Sequence, residues 1–178
     1  MKQFQAKYLA LCALFAALTA VCSQIQIPLP AIPINLALFA VHLCAALLAP
    51  RYAALSMAVY ILLGAAGVPV FAGLKGGIAV LFDKTGGYII GYLLSALLTS
   101  WIIRRGKRSF LRSCLAMVAG VAVCYVFGTI WFMVLTKTPL WTSLTWCVLP
   151  FLPGDAVKIL LAAFLAKRLE TPLRRILA

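Results

Sequence analysis

Acidic side chains are almost missing from this sequence. Its 178 residues hold 3 Asp or Glu against 16 Lys or Arg, and only 11% are charged while 65% are hydrophobic. A water-soluble domain carries roughly a quarter of its residues charged, so a soluble enzyme or nucleic-acid-binding domain is excluded on composition. Histidine is nearly absent too: His42 stands alone in the middle of an apolar run. It is expected to be a core residue bonded to a neighbouring helix. Catalysis in the bilayer would want a nucleophile and a base, and the chain offers a single imidazole, so no enzyme activity is expected. Cys12, Cys22, Cys44, Cys114, Cys124 and Cys147 form no C-x-x-C pair. No metal site is therefore expected, and these thiols read as apolar packing residues. A phosphate-binding loop is missing as well. Lys84-Thr85 would need Gly at 78 and 83, where the chain has Ile78 and Asp83. Neither ATP binding nor any cofactor is expected of this chain.

What is present is a set of long apolar runs separated by short basic clusters, the pattern of a polytopic membrane protein. Six segments emerge, at residues 8–24, 34–49, 52–66, 88–103, 111–135, and a sixth running from about 146 to 166 with Pro150, Pro153 and Gly154 inside it. Residues 8–24 lack a signal-peptide cleavage pattern followed by a polar domain, and read as a retained first helix. Six spans of about 20 residues use most of the chain, so residues 1–178 are expected to form a single all-α membrane domain.

Orientation follows from the basic residues in alternate connections. One side holds Lys2, Lys7, Arg51, Arg104, Arg105, Lys107, Arg108, Arg112, Lys167, Arg168, Arg174 and Arg175; the other holds Lys75, Lys84 and Lys137. This places both termini in the cytoplasm, in the cell inner (plasma) membrane, with an even number of spans. The basic 104–112 cluster is a topology signal rather than a nucleic-acid site. The Pro-rich stretch 26–33, the Gly-rich stretch 68–87 and the stretch around Pro150 then share the outer face. Irregular backbone at a membrane is tolerated only where protein buries it or it lines a wet cavity, so a pocket open to the outside is expected beneath them.

The sixth segment carries Asp155 and Lys158, three residues apart on one helical face. If Lys167 marks the cytoplasmic boundary, Lys158 lies about 13.5 Å up the helix, near the bilayer midplane. Charges at that depth cost at least about 2.5 kcal/mol each and face a partner or a cavity. Three readings stand: a helix cap and folding staple, a binding site for a small polar head with both N–H and C=O groups, or a proton relay. In the Gly-rich stretch, Gly73, Gly76 and Gly77, flanked by Phe71 and Tyr88, are expected to line the same pocket.

The motifs Gly67-Val-Pro-Val-Phe-Ala-Gly73, Gly76-Gly77, Thr85-Gly-Gly-Tyr88, Cys124-Tyr-x-x-Gly128-x-x-Trp131 and Pro150-Phe-x-Pro-Gly-Asp155-x-x-Lys158 together resemble the BioY family, the biotin-specific S components of energy-coupling factor (ECF) transporters. The resemblance implies a six-helix bundle with cytoplasmic termini and high-affinity capture of biotin from outside. It also implies assembly with an ECF transmembrane coupling protein and two cytoplasmic ATPase subunits, which alone would use ATP. The coupling protein would pack on an A-x-x-x-A stripe of the first helix, matched by Ala13 and Ala17 and equally by Ala16 and Ala20. Asp155 and Lys158 would grip the ureido ring. Tyr125, Trp131 and Phe71 would supply apolar walls, and Lys75, Lys84 or Lys137 would attract the ligand carboxylate. Asp83-Lys84 departs from the Gly-Pro usual in the family and is expected to form an exposed ion pair at the outer rim. Solitary biotin transport, an S component for another small vitamin, and a structural polytopic protein are the competing readings.

Overall fold

The computed structural model describes residues 2–29, 31–106 and 108–177. Pro30 of the Pro-rich stretch and Lys107 of the basic cluster lie outside the described residues, as do the side chains of Lys2 and Arg174. Among the described residues the chain forms seven α-helices: α1 Lys2–Gln24, α2 Ala37–Leu47, α3 Pro50–Ala65, α4 Gly86–Arg104, α5 Phe110–Thr136, α6 Leu140–Cys147 and α7 Leu152–Leu177. A two-stranded antiparallel ribbon, β1 Gln26–Ile27 with β2 Ile34–Asn35, lies between α1 and α2. A 3-10 helix at Ile78–Phe82 precedes α4.

Local chemistry sets the breaks. Pro50 opens α3 at a position where its missing N–H costs nothing. Asn35 Oδ1 accepts the Ala37 N–H at 3.0 Å, satisfying an otherwise orphaned donor at the start of α2. Ser109 does the same for α5 through the Arg112 N–H, and Lys137 ends that helix in the left-handed region at φ 55°.

Helix α2 is apolar on every side and is buried accordingly, packed against α1, α4 and α7. Helices α4 and α5 run together along much of their length. The decisive close approach is at Gly128, where any Cβ would collide with the Tyr88 ring. His42 on α2 is fully buried, but neither ring nitrogen has a hydrogen-bond partner among the described residues. The expected bond to a neighbouring helix is not formed.

The first five expected segments correspond to α1 to α5, with ends shifted by a few residues. The sixth does not form one interrupted helix ending at 166. It is two helices, α6 and α7, bent by 51°, and α7 continues through Pro172 to Leu177. Helices α1, α4 and α5 are long and apolar enough to cross a membrane, and the α6–α7 pair adds a fourth candidate. With 11 and 16 residues, α2 and α3 reach only about 16 Å and about 24 Å at 1.5 Å per residue. The short ribbon precedes α2, and the 66–85 connection that follows α3 is mostly exposed, with Phe71 its buried residue.

The two ends of the bundle differ in chemistry. At the basic end, the start of α1, the α2–α3 turn, the end of α4 and the last turns of α7 meet. There Arg108 pairs with Glu170 at 2.9 Å, and Arg104 and Ser100 donate to the carbonyls of Leu47 and Leu48. At the opposite end the β-ribbon, the 66–85 connection and the α6–α7 bend enclose a cavity.

Candidate functional site

Asp155 and Lys158 form the polar end of that cavity. Asp155 lies in the first turn of α7, its own N–H already donated to the Phe151 carbonyl at 2.8 Å. Its carboxylate accepts from Lys158 Nζ at 2.7 Å on one oxygen and from the Tyr125 O–H on the other. The side chain therefore holds no backbone N–H of α7, so it is not a helix cap. Residue exposures of 3% and 6% for Asp155 and Lys158 make this a buried ion pair, which needs further hydrogen bonds to offset desolvation. The pair leaves capacity for them. An ammonium has three donors, and each carboxylate oxygen accepts more than one bond.

Aromatic rings form the apolar walls. Phe71 meets Tyr60 edge to face at 5.5 Å. Tyr88 bonds the Thr129 hydroxyl at 3.0 Å, while Tyr92, Tyr125 and Phe151 complete the enclosure. Asn35 reaches the same space from the ribbon, with its oxygen committed to Ala37 and its NH2 left as a donor. The cavity measures about 80 Å³.

Phe71 is held from α1. The Gln24 amide donates to the Val70 and Phe71 carbonyls, both at 3.1 Å, and accepts from the Leu74 N–H at 2.9 Å. Ser23 adds a bond to the Val70 carbonyl at 2.6 Å. Behind the ring, Gly64 leaves the space it fills, since a Cβ there would overlap Phe71.

Phe71, Tyr88, Tyr125, Asp155 and Lys158, all expected from the sequence, converge on the cavity, and Lys75 joins them at its exposed rim. Gly73, Gly76 and Gly77 do not line it. They shape the loop that presents Phe71 and Lys75, whose backbones bond each other at 3.0 and 3.2 Å. Trp131 is also off the cavity wall. Its indole N–H donates to the Asp83 carbonyl at 3.1 Å, anchoring the loop to α5. The expected Asp83–Lys84 ion pair is replaced by a local turn. Asp83 Oδ1 accepts the Lys84 backbone N–H at 2.7 Å, a bond favoured because it needs no long side chain to be ordered. On α1 the two small-residue registers differ in exposure. Ala13 and Ala17 are exposed beside Leu14, whereas Ala16 is buried and Ala20 packs against the core.

Four site residues escaped the sequence reading: Gln24, Asn35, Tyr60 and Tyr92. Tyr92 carried a signal, since it follows Tyr88 by four residues on one helical face. The others are brought in by contacts distant in sequence. Among the described residues, no three His, Cys, Asp or Glu side chains cluster as metal ligands do.

The family model described as the BioY family matches residues 1–175. A probable biotin transporter BioY of Pyrococcus horikoshii is 38% identical, covering 93% of this chain and 98% of that protein. The biotin transporter BioY of Thermotoga maritima is 36% identical, covering 88% and 92%. A crystal structure of the S-component for biotin from an ECF-type ABC transporter superposes with a TM-score of 0.88 at 26% identity, covering 96% of this chain and 94% of the other.

Proposed function

The chain belongs to the BioY family, and we propose that it captures biotin at the outer face of the cell membrane and delivers it inward as the S component of an ECF transporter. The observation that carries this reading is the buried Asp155–Lys158 pair, aimed by Tyr125 into a cavity walled with aromatic rings. Biotin offers a ureido ring with two N–H donors and one carbonyl acceptor. Asp155 accepts from the N–H groups, and Lys158 or the Asn35 amide donates to the carbonyl. The thiophane ring and valeryl chain lie against Phe71, Tyr88 and Tyr125. The carboxylate points to the rim, where Lys75 meets it.

Residues 1–178 act as one membrane domain with six passes and both termini in the cytoplasm. The basic end of the bundle is the cytoplasmic face, as the positive-inside rule requires. The exposed Ala13–Ala17 stripe on α1 supports docking of a coupling protein, because small residues let helices approach closely in lipid. Two ATPase subunits behind that protein would supply the energy, and the chain itself would catalyse nothing. Co-purification with ATPase subunits tests this coupling. Biotin uptake by the chain in cells lacking such subunits would favour solitary transport instead.

Calorimetry on the purified full-length chain tests the ligand. Biotin is expected to bind with one site per chain. Iminobiotin, whose cyclic guanidine is protonated at neutral pH, is expected to bind far more weakly, since it turns a cationic N–H donor group, with no acceptor, toward Lys158 and Asn35. Absence of biotin binding would sink the proposal.

A further inference from the structure

Helices α5 and α7 run antiparallel and leave a seam between them. At one end Tyr125 bonds Asp155. Twelve residues along each helix, from 125 to 113 and from 155 to 167, Ser113 and Lys167 line a common pocket at the basic end. Two concavities follow one another along this seam. The first, of about 380 Å³, is polar and is lined by Arg108, Ser109, Ser113, Lys167 and Glu170. The second, of about 440 Å³, is apolar; Cys114, Val118, Ala122, Ile159 and Leu160 line it, and it ends at Tyr125 and Asp155. Asp155, Ile159, Ala163, Ala166 and Glu170 recur every three or four residues, so on α7 both concavities occupy one helical face. On α5 the consecutive residues Ser113 and Cys114 join them.

Charge and length identify the occupant. In the polar pocket Arg108 and Lys167 face a single carboxylate, that of Glu170, which leaves an excess of positive charge. Glu170 takes one guanidinium nitrogen of Arg108 at 2.9 Å, and a guanidinium has five N–H donors. Among the described residues no carboxylate pairs with Lys167. The Ser109 hydroxyl accepts the Arg112 N–H at 3.1 Å and still has its own proton to donate. Converging cationic and hydroxyl donors of this kind suit a phosphate group. The apolar groove then runs from these donors toward the middle of the bundle. Lys167 and Asp155 are about 18 Å apart along α7 at 1.5 Å per residue, close to one leaflet of a hydrocarbon core about 30 Å thick. Val118 and Leu160 on the groove are about half exposed, at 52% and 54%, and so face lipid. A polar pocket at the membrane surface that opens into an apolar groove one leaflet deep fits a phosphate head carrying an acyl chain.

We propose that the α5–α7 seam binds one anionic phospholipid of the leaflet at the basic end, with its phosphodiester on Arg108 and Lys167 and an acyl chain along the groove as far as Tyr125. The proposal goes beyond the biotin reading and stands without it. The lipid needs no rearrangement of the bundle, because both concavities are open as the helices are packed.

Native mass spectrometry of the delipidated full-length chain tests this, with phosphatidylglycerol and phosphatidylcholine of equal chain length as probes. One phosphatidylglycerol is expected per chain, held about fivefold more tightly than phosphatidylcholine, the worth of one net basic residue beside an anionic headgroup. Lys167→Gln should abolish that preference and leave phosphatidylcholine retention unchanged. Ala122→Phe, which puts bulk into the groove from an exposed position, should weaken both lipids by about the same factor. Glycerol phosphate, the head without its chains, should not displace the lipid. Equal retention of the two lipids would overturn the proposal, as would a preference that survives Lys167→Gln or an Ala122→Phe protein with unaltered retention. Displacement by glycerol phosphate would overturn it in favour of a site for soluble phosphates. Dimers that carry no lipid would overturn it too, and would assign the seam to a second copy of the chain.

Discussion

Tyr125 donates its phenol O–H to the Asp155 carboxylate from a helix thirty residues earlier in the chain. The bond fixes which way the carboxylate faces, leaving Lys158 on its other oxygen. Tyr125→Phe keeps the ring against the cavity and removes only this restraint. Hydrogen bonds to charged groups are worth about 1.5–3 kcal/mol, so biotin affinity should fall by roughly ten- to a hundredfold. Calorimetry would read it; an unchanged affinity would show that Asp155 is oriented without Tyr125.

The ion pair itself should matter more. Asp155→Asn and Lys158→Ala each strand a buried partner, at a cost of about 2–5 kcal/mol. Biotin binding should weaken by tens to thousands of times in each, while membrane insertion persists. A purified variant that bound biotin like the parent would reduce the pair to a structural staple.

The two faces of α1 should separate transport from folding. Ala13→Leu or Ala17→Leu alters an exposed stripe and is expected to lower cellular biotin uptake with binding by the purified protein intact. Ala16→Leu inserts bulk into the core, where overpacking costs about 1–3 kcal/mol, and should lower the melting temperature. Loss of binding in the Ala13 or Ala17 variant would assign that stripe to internal packing.

Gly64→Ala places a methyl group in the space of the Phe71 ring. Phe71 cannot retreat freely, because Gln24 and Ser23 clamp its backbone. The variant should bind biotin more weakly and melt lower, and Gly64→Ala combined with Phe71→Leu should recover stability while affinity stays reduced. Full recovery of affinity in the double variant would mean that the Phe71 ring does not touch the ligand.

Trp131→Phe leaves a smaller aromatic ring in place and deletes the N–H bond to the Asp83 carbonyl. Such a bond is worth about 0.5–1.5 kcal/mol. The protein should lose a little stability while its dissociation rate for biotin stays nearly constant. A large rise in that rate would place Trp131 in contact with the ligand after all.

Composition and order along the chain by themselves determined the class of protein. Too few charges to cover a soluble surface, apolar runs, basic clusters and one acid–base pair deep in the last run are local quantities, and each can be read without knowing what touches what. The positions of the first five helices followed, as did the roles of Asp155, Lys158, Phe71, Tyr88 and Tyr125 as cavity residues. Only the tertiary structure decided that Ala13 and Ala17 face outward while Ala16 faces in. It also decided that Trp131 anchors a loop, that Asp83 turns to the backbone and that Gln24 and Asn35 build the site. The physical reason is the lipid. Membrane helices are apolar on both their packed and their lipid-facing sides, so periodicity gives no sign of which face is buried. The polar contacts that aim Phe71 and Asp155 join segments some thirty to fifty residues apart, and such pairings exist only once the helices have packed.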